Sequence, residues 1–284
     1  MIGFAVTHRH RMPRAVALCL AAVLASSGCA STGSADSPDS GQLILATTTS
    51  AQNTGLLDML IPKADASTGC TTKAVAVGSG EALAMGEQGN ADVVLVHSPE
   101  DEREFMAGGH GTSRKLIMHN DFVLIGPPGD PAGVAETDSS AEALTQIAER
   151  KAKFVSRGDD SGTHSEELAL WRQAAVKPHG EWYVETGQGM GETLTIASQT
   201  DGYTLTDRAT FLTTKGLSSR IVLDGPEELH NPYHVITVDH PATNTQCAKA
   251  FAEWLSGEQG QGLIDEFGAG EYSRQLFVPD AMPR

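Results

Sequence analysis

The stretch Ser156-Arg157-Gly158-Asp159-Asp160-Ser161-Gly162-Thr163-His164 joins a guanidinium, small hydroxyls and two glycines within nine residues. An amphipathic helical pattern follows at once through Leu168, Leu170, Trp171, Ala174 and Ala175. Glycines let a backbone approach a ligand closely, and hydroxyls donate hydrogen bonds without adding charge. A helix start adds unpaired N–H groups carrying partial positive charge. These are the parts of an oxyanion site. Thr47-Thr48-Thr49-Ser50 and Gly78-Ser79-Gly80 follow the same logic. Three such loops in one chain suggest one anion held between them.

The elements that must carry these loops are legible as apolar periods. Leu43–Ala46, Lys73–Val77 and Ala91–Val96 read as strands, each followed by a helical pattern. Ser98 suits an N-cap and Pro99 the first helical position. The first hundred residues therefore predict β-α-β-α-β-α and an open parallel sheet. Phe122–Ile125 is a further strand, closed by Pro127-Pro128-Gly129 and read as the crossing into a second domain. Helices are expected over 141–150, 162–175 and 189–199, with short strands at 153–155, 203–205 and 220–223. Asn231-Pro232-Tyr233 punctuates the chain, His234–Val238 returns to the first domain, and two helices close it around 247–255 and 258–267. In open α/β sheets, ligands bind beyond the carboxyl ends of strands. The three polar loops all lie there, so the ligand belongs in the cleft between domains.

Arg9, Arg11 and Arg14 precede the apolar run Ala15–Ala25, which is too short to span a bilayer but suits a signal-peptide core. Ser26-Ser27-Gly28-Cys29 after it resembles a bacterial lipoprotein cleavage site, with Ser26 departing from the usual Leu-like residue. The resemblance implies lipidation of Cys29 and an extracytoplasmic protein held at the cell membrane through that anchor alone; plain secretion into the periplasm or medium is the alternative. Residues 29–41 read as a flexible tether rich in Ser, Gly, Asp and Pro. Three of the 20 basic residues and none of the 36 acidic ones lie in 1–28, so cleavage moves the net charge from −16 to −19. Such a surface excludes non-specific nucleic-acid binding. Any anion must therefore be held by local dipoles and one or two buried cations. Beyond residue 29 the cysteines are Cys70 and Cys247, which either pair in an oxidising compartment or stay as separate buried thiols.

In order and spacing, a longer set of motifs resembles the tungstate-binding component of bacterial ABC transporters, within the type II periplasmic-binding-protein fold. Its carriers are Thr47–Ser50, Val77–Gly80, Ala91–His97, Asn120–Val123, Ser156–His164, Gly187–Gly191, Tyr203–Arg208 and Asn231–Tyr233. The resemblance implies an α/β, two-domain fold with its ligand cleft between the domains. It implies capture of tungstate, with molybdate as the alternative oxyanion, for delivery to an ABC permease by a monomer that is not an enzyme and needs no cofactor or metal cation. The expected domains are 1–28 signal peptide, 29–41 tether, 42–122 with 235–284, and 123–234.

The expected ligand set is Thr48, Thr49, Ser50, Ser79, Arg157, Ser161, Gly162 and Thr163. Gly189 and Arg208 stand further down; Arg208 next to Asp207 also reads as a structural ion pair. Thr163 with Glu166 fits a capping box, in which case Ser161 carries the ligand. Asp159 and Asp160 are expected to point away from a dianion, since a carboxylate in contact would repel it. The competing reading is a secreted hydrolase using Ser161 and His164 with Asp159 or Asp160. Ser161 lacks a Gly-x-Ser-x-Gly elbow, no Gly-x-x-x-x-Gly-Lys-Ser/Thr motif is present, and the histidines lack zinc-ligand spacing.

Overall fold

The apolar runs of the first hundred residues become adjacent strands of one sheet in the computed structural model, which describes residues 41–281. Strand β1 (Gln42–Thr48) leads through α1 (Thr49–Asn53) and α2 (Leu56–Thr68) to β2 (Thr71–Val77). Helix α3 (Ser79–Glu87), β3 (Val93–Val96) and α4 (Pro99–Ala107) follow. Both β2 and β3 pair in parallel with β1. Residues Val93–Val96 are wholly buried because helices cover both faces of the sheet. On one face Leu43, Leu45 and Val93 pack with Leu56, Leu60, Phe251 and Leu255. On the other Ala46, Val94 and Val96 pack with Leu83 and Phe105.

Strand β4 (Gly111–Gly126) is far longer than the Phe122–Ile125 segment expected. Its first half, Gly111-Thr-Ser-Arg-Lys, is polar and gives no apolar period, yet it pairs antiparallel along β9 (His230–Val238). Strand β9 also begins earlier than expected and includes Asn231-Pro232-Tyr233. Pro232 is tolerated because β3 pairs only from Val235 and His234 onwards, so β9 has one neighbour at that point. Beyond Asp121, β4 enters a second body, where it pairs with β7 (Thr204–Asp207) and β8 (Arg220–Leu223). Between them lie α5 (Ser140–Arg150), β5 (Phe154–Ser156), α6 (Gly162–Gln173), β6 (Tyr183–Glu185), α7 (Met190–Gln199) and α8 (Arg208–Thr213). Strands β5 and β6 form a small parallel pair. Phe122, Leu124, Phe154, Trp171, Tyr203 and Leu205 make this lobe's own core.

The chain closes with α9 (Thr245–Ser256), α10 (Glu258–Glu266), α11 (Ala269–Tyr272) and β10 (Val278–Pro279). Helices α9 and α10 pack on α2, and β10 pairs with β4. Cys70, just before β2, and Cys247 on α9 form a disulfide with a Cα separation of 6.0 Å. The result is a two-lobed α/β fold crossed by β4 and β9. The signal peptide, Cys29 and its tether lie outside the described residues. Among those described, no helix is long and apolar enough to cross a membrane.

Candidate functional site

All three polar loops sit where a strand gives way to a helix: β1 to α1, β2 to α3, and β5 to α6. They also touch. A Cβ added at Gly162 would lie 2.9 Å from Ser79 Oγ, 2.7 Å from the His97 carbonyl and 2.9 Å from His97 Nδ1. At Gly80 it would lie 3.1 Å from the Asp160 carbonyl, and at Gly78 3.5 Å from Ser161 Cα. Glycine is thus required at Gly162 by close approach of the two lobes, not by backbone conformation.

Arg157 follows β5 and is 1% exposed. Its Nε donates to the Gln188 carbonyl at 2.9 Å, and Nη2 reaches Thr49 Oγ1 at 3.5 Å and pairs with Asp159 Oδ2. The Gly187–Gly191 turn thereby holds the arginine: the Gly187 N–H also bonds the Arg157 carbonyl at 2.8 Å, with Gly187 at φ 62. Nη1 of Arg157 is buried without a hydrogen-bond partner among the described residues. So are Ser79 Oγ and Thr163 Oγ1. An unsatisfied buried polar group costs about 1–3 kcal/mol. Two of these donors lie on the β5–α6 loop and one on the β2–α3 loop, at the inter-lobe contact, and they describe a cradle for an acceptor-only group.

The hydroxyls divide their work differently from the capping box expected of Thr163 and Glu166. Ser161, in extended conformation (φ −76, ψ 166), is the N-cap of α6, and its Oγ accepts from the His164 N–H at 3.3 Å. Thr163 is therefore the unspent hydroxyl. Thr48 caps α1 by accepting from the Ala51 N–H at 3.2 Å, and Thr210 Oγ1 approaches the Ser50 carbonyl at 3.4 Å. Gly189 caps α7, with Thr49 Cβ 3.9 Å from where its own Cβ would be.

Asp159 faces Arg157 and accepts from the Ser161 N–H at 3.3 Å, while the Asp160 side chain is 99% exposed. Arg208 pairs with Asp121 and, at 2.6 Å, with Asp224, rather than with its neighbour Asp207. Asp207 is buried and accepts from Thr210 N at 2.8 Å, capping α8. Burial raises its pKa. Burial also pushes the His97 imidazole down to about 4, with Arg157 adding to the effect and Glu102 opposing it. His97 is thus neutral beside the loops.

The Ser161–His164 couple required by a hydrolase is not formed. The His164 ring takes the Asp160 N–H on Nδ1 at 3.1 Å, and the Ser161 hydroxyl is bonded to the His164 backbone. Among the described residues no group of three His, Cys, Asp or Glu side chains could hold a metal ion. Residues missed by the sequence reading include Gln188, whose carbonyl anchors Arg157, and Thr210, which ties α8 to Ser50. Neither a carbonyl's direction nor a contact 160 residues away in sequence leaves a local signal.

The PBP superfamily domain model matches residues 31–258. A tungstate-binding protein TupA of Peptoclostridium acidaminophilum is 45% identical over 269 residues, covering 91% of this chain and 94% of that protein. The crystal structure of the tungstate ABC transporter from Geobacter sulfurreducens superimposes with a TM-score of 0.73 at 43% identity, over 80% of this chain and 98% of that one. The tungstate-binding protein TupA from Desulfovibrio alaskensis gives 0.70 at 40% identity, over 85% and 100%. A family match across most of the chain, joined to relatives alike in sequence and fold along nearly their whole length, makes this protein a member of the PBP superfamily.

Proposed function

We propose that this protein is an extracytoplasmic solute-binding protein that captures tungstate between its lobes and hands it to an ABC permease. The observation that carries this reading is a group of buried polar atoms without partners among the described residues, Arg157 Nη1, Ser79 Oγ and Thr163 Oγ1, with Ser156 Oγ and His164 Nε2 on the same loop. They sit around loops that also contain Thr48, Thr49, Ser50, Ser161 and Gly162, and α6 directs its N-terminus there. Asp159 has both oxygens engaged and Asp160 faces solvent. Such a site offers donors and no free carboxylate, which suits a fully deprotonated tetrahedral dianion. The relatives named for tungstate supply the particular anion. Molybdate, almost the same size and charge, is the expected competitor.

In this reading residues 42–122 and 235–284 form one domain and 123–234 the other, with Gly189 lining the cleft and Arg208 outside it. The mature protein is a monomer tethered through Cys29. A ligand that binds only the native state adds about 4 kcal/mol at a thousandfold excess over Kd. For this size of chain that raises the melting point by roughly 8–16 °C. Tungstate should produce such a shift, and sulfate at the same concentration very little, because its shorter bonds leave some donors out of reach. Calorimetry with tungstate, molybdate and sulfate tests the proposal; equal affinity for sulfate, or none for tungstate, refutes it.

A further inference from the structure

Asn120 and Asn231, from two motifs that the anion site itself does not use, face each other as register partners where β4 and β9 cross between the lobes. A continuous hydrogen-bonded chain runs through them. Asp207 Oδ1 accepts from Asn120 Nδ2 at 3.0 Å, Asn120 Oδ1 accepts from Asn231 Nδ2 at 2.7 Å, and Asn231 Oδ1 meets His97 Nδ1 at 3.0 Å. Asp207 also accepts from Thr210 N and Oγ1, so it faces donors on every side. That fixes the direction of the whole chain. A carboxylate acceptor orients the Asn120 amide, which orients the Asn231 amide, which leaves an acceptor for His97. His97 must therefore be the Nδ1–H tautomer.

All five residues, His97, Asn120, Asn231, Asp207 and Thr210, are buried. Both ends of the chain rest on the candidate anion loops. At one end the His97 carbonyl and ring fill the space beside Gly162 and, across it, Ser79. At the other, Thr210 Oγ1, which donates to Asp207, lies 3.4 Å from the Ser50 carbonyl. Tyr233 supports the middle, with its ring 4.5 Å from that of His97 and its hydroxyl near Asn231 Nδ2.

We infer that Asn120 and Asn231 are positioning residues for anion capture: through His97 and through Asp207–Thr210 they hold two ligand loops on opposite lobes in the arrangement that receives the anion. The inference rests on the functional reading above. The groups that face His97 electrostatically are Glu102 and Arg157, and Tyr233 faces Asp207.

The test begins with ¹⁵N-histidine NMR of the ligand-free, wild-type protein at neutral pH. His97 should be the neutral Nδ1–H tautomer; the Nε2–H tautomer overturns the relay without any variant. Asn231→Leu and Asn120→Leu should then each weaken tungstate binding by at least about tenfold, within the range usual for coupled sites. The double variant should be hardly weaker than either alone, since both break one chain. Amide exchange should rise at residues 48–50 and 161–164 in the ligand-free variants. Asn231→Asp, which keeps an acceptor for His97 but loses the donor to Asn120, should fall between wild type and Asn231→Leu. Folded variants with wild-type affinity and unchanged exchange at those loops refute the inference. If wild-type protein itself fails to bind tungstate, the choice of anion is wrong, and the His97 tautomer and loop exchange still decide the relay.

Discussion

Arg157 and Asp159 are paired two residues apart, and the pairing leaves Arg157 Nη1 buried and unpartnered. The carboxylate thus orients the guanidinium through Nη2 and leaves Nη1 without a partner among the described residues. Arg157 also donates to Gln188 and reaches Thr49, so it joins β5, the α7 turn and α1. A residue with this many ties serves both the ligand and the fold, and the two roles separate experimentally.

Replacing Arg157 by Gln should weaken tungstate binding by about thirtyfold to a thousandfold, equivalent to about 2–4 kcal/mol for a desolvated charge-assisted contact. It should also lower the unliganded melting point, because Asp159 loses its partner. The double variant Arg157→Gln/Asp159→Asn should recover much of that melting point and none of the affinity. Calorimetry and thermal melts on the three proteins check this. Intact affinity in the single variant would make Arg157 purely structural.

The two hydroxyls at the start of α6 should respond in opposite ways. Ser161→Ala removes the cap and should cost about 1 kcal/mol of stability without ligand. Thr163→Val removes a buried hydroxyl that has no partner, so the unliganded melting point should hold or rise. Its tungstate affinity should fall by about tenfold, the equivalent of one lost hydrogen bond near 1.4 kcal/mol. Unchanged affinity in Thr163→Val would remove Thr163 from the site.

That division of labour could not be read from the sequence. Ser161 and Thr163 both lie within reach of the helix start, and only the extended backbone of Ser161 makes it the cap. Arg208 shows the same limit: its partners Asp121 and Asp224 come from β4 and from the residue after β8, while the adjacent Asp207 turns inward to Asn120. What was legible rested on strong local patterns. Leu43–Ala46 and Val93–Val96 are apolar because helices cover both sheet faces, and glycine–hydroxyl loops stand out at their ends. The polar half of β4, the three-residue β6 and the six-residue α8 carry no such pattern, since long-range pairing rather than local preference makes them.

Stability should depend on pH through groups acting in opposite directions, Glu167 and Glu166 on one side and His97 on the other. Burial raises Glu167 from 4.5 to about 7, against hydrogen bonds from Tyr183 and Trp171. Its folded form holds a proton that the unfolded form has released, so stability falls as pH rises from about 4.5 to about 7. His97, lowered from 6.5 to about 4, does the reverse: stability falls as pH drops through that window. Glu166, also raised to about 7 by burial, adds to the Glu167 effect. Glu167→Gln keeps an acceptor for Trp171 Nε1 and Tyr183 OH at 3.1 and 2.8 Å. It should gain on the order of 2–3 kcal/mol over wild type at pH 8 and little at pH 4. Denaturant melts across pH 4–8 measure this; a gap that does not widen with pH would place the Glu167 pKa near its ordinary value.

Gly162 tests the contact between the loops. A Cβ there would meet the His97 carbonyl at 2.7 Å, His97 Nδ1 at 2.9 Å and Ser79 Oγ at 2.9 Å, all on the opposite lobe. Two of these belong to the buried relay and the third to the Gly78–Gly80 loop, so neither side gives way cheaply. Gly162 is the first residue of α6 and has no positive φ, and alanine in a helix is favoured over glycine by up to about 1 kcal/mol. The clash lies in the ligand-free structure itself, so the cost of overpacking, about 1–3 kcal/mol, outweighs that preference, and Gly162→Ala should have a lower unliganded melting point than wild type. Its loops should also be pushed apart at the site. Tungstate binding should fall by about a hundredfold or more, consistent with the 1–3 kcal/mol cost of overpacking a tight contact together with the loss of loop alignment. A Gly162→Ala protein that melts and binds as wild type does would mean that Ser79, His97 and Gly162 do not converge around the ligand.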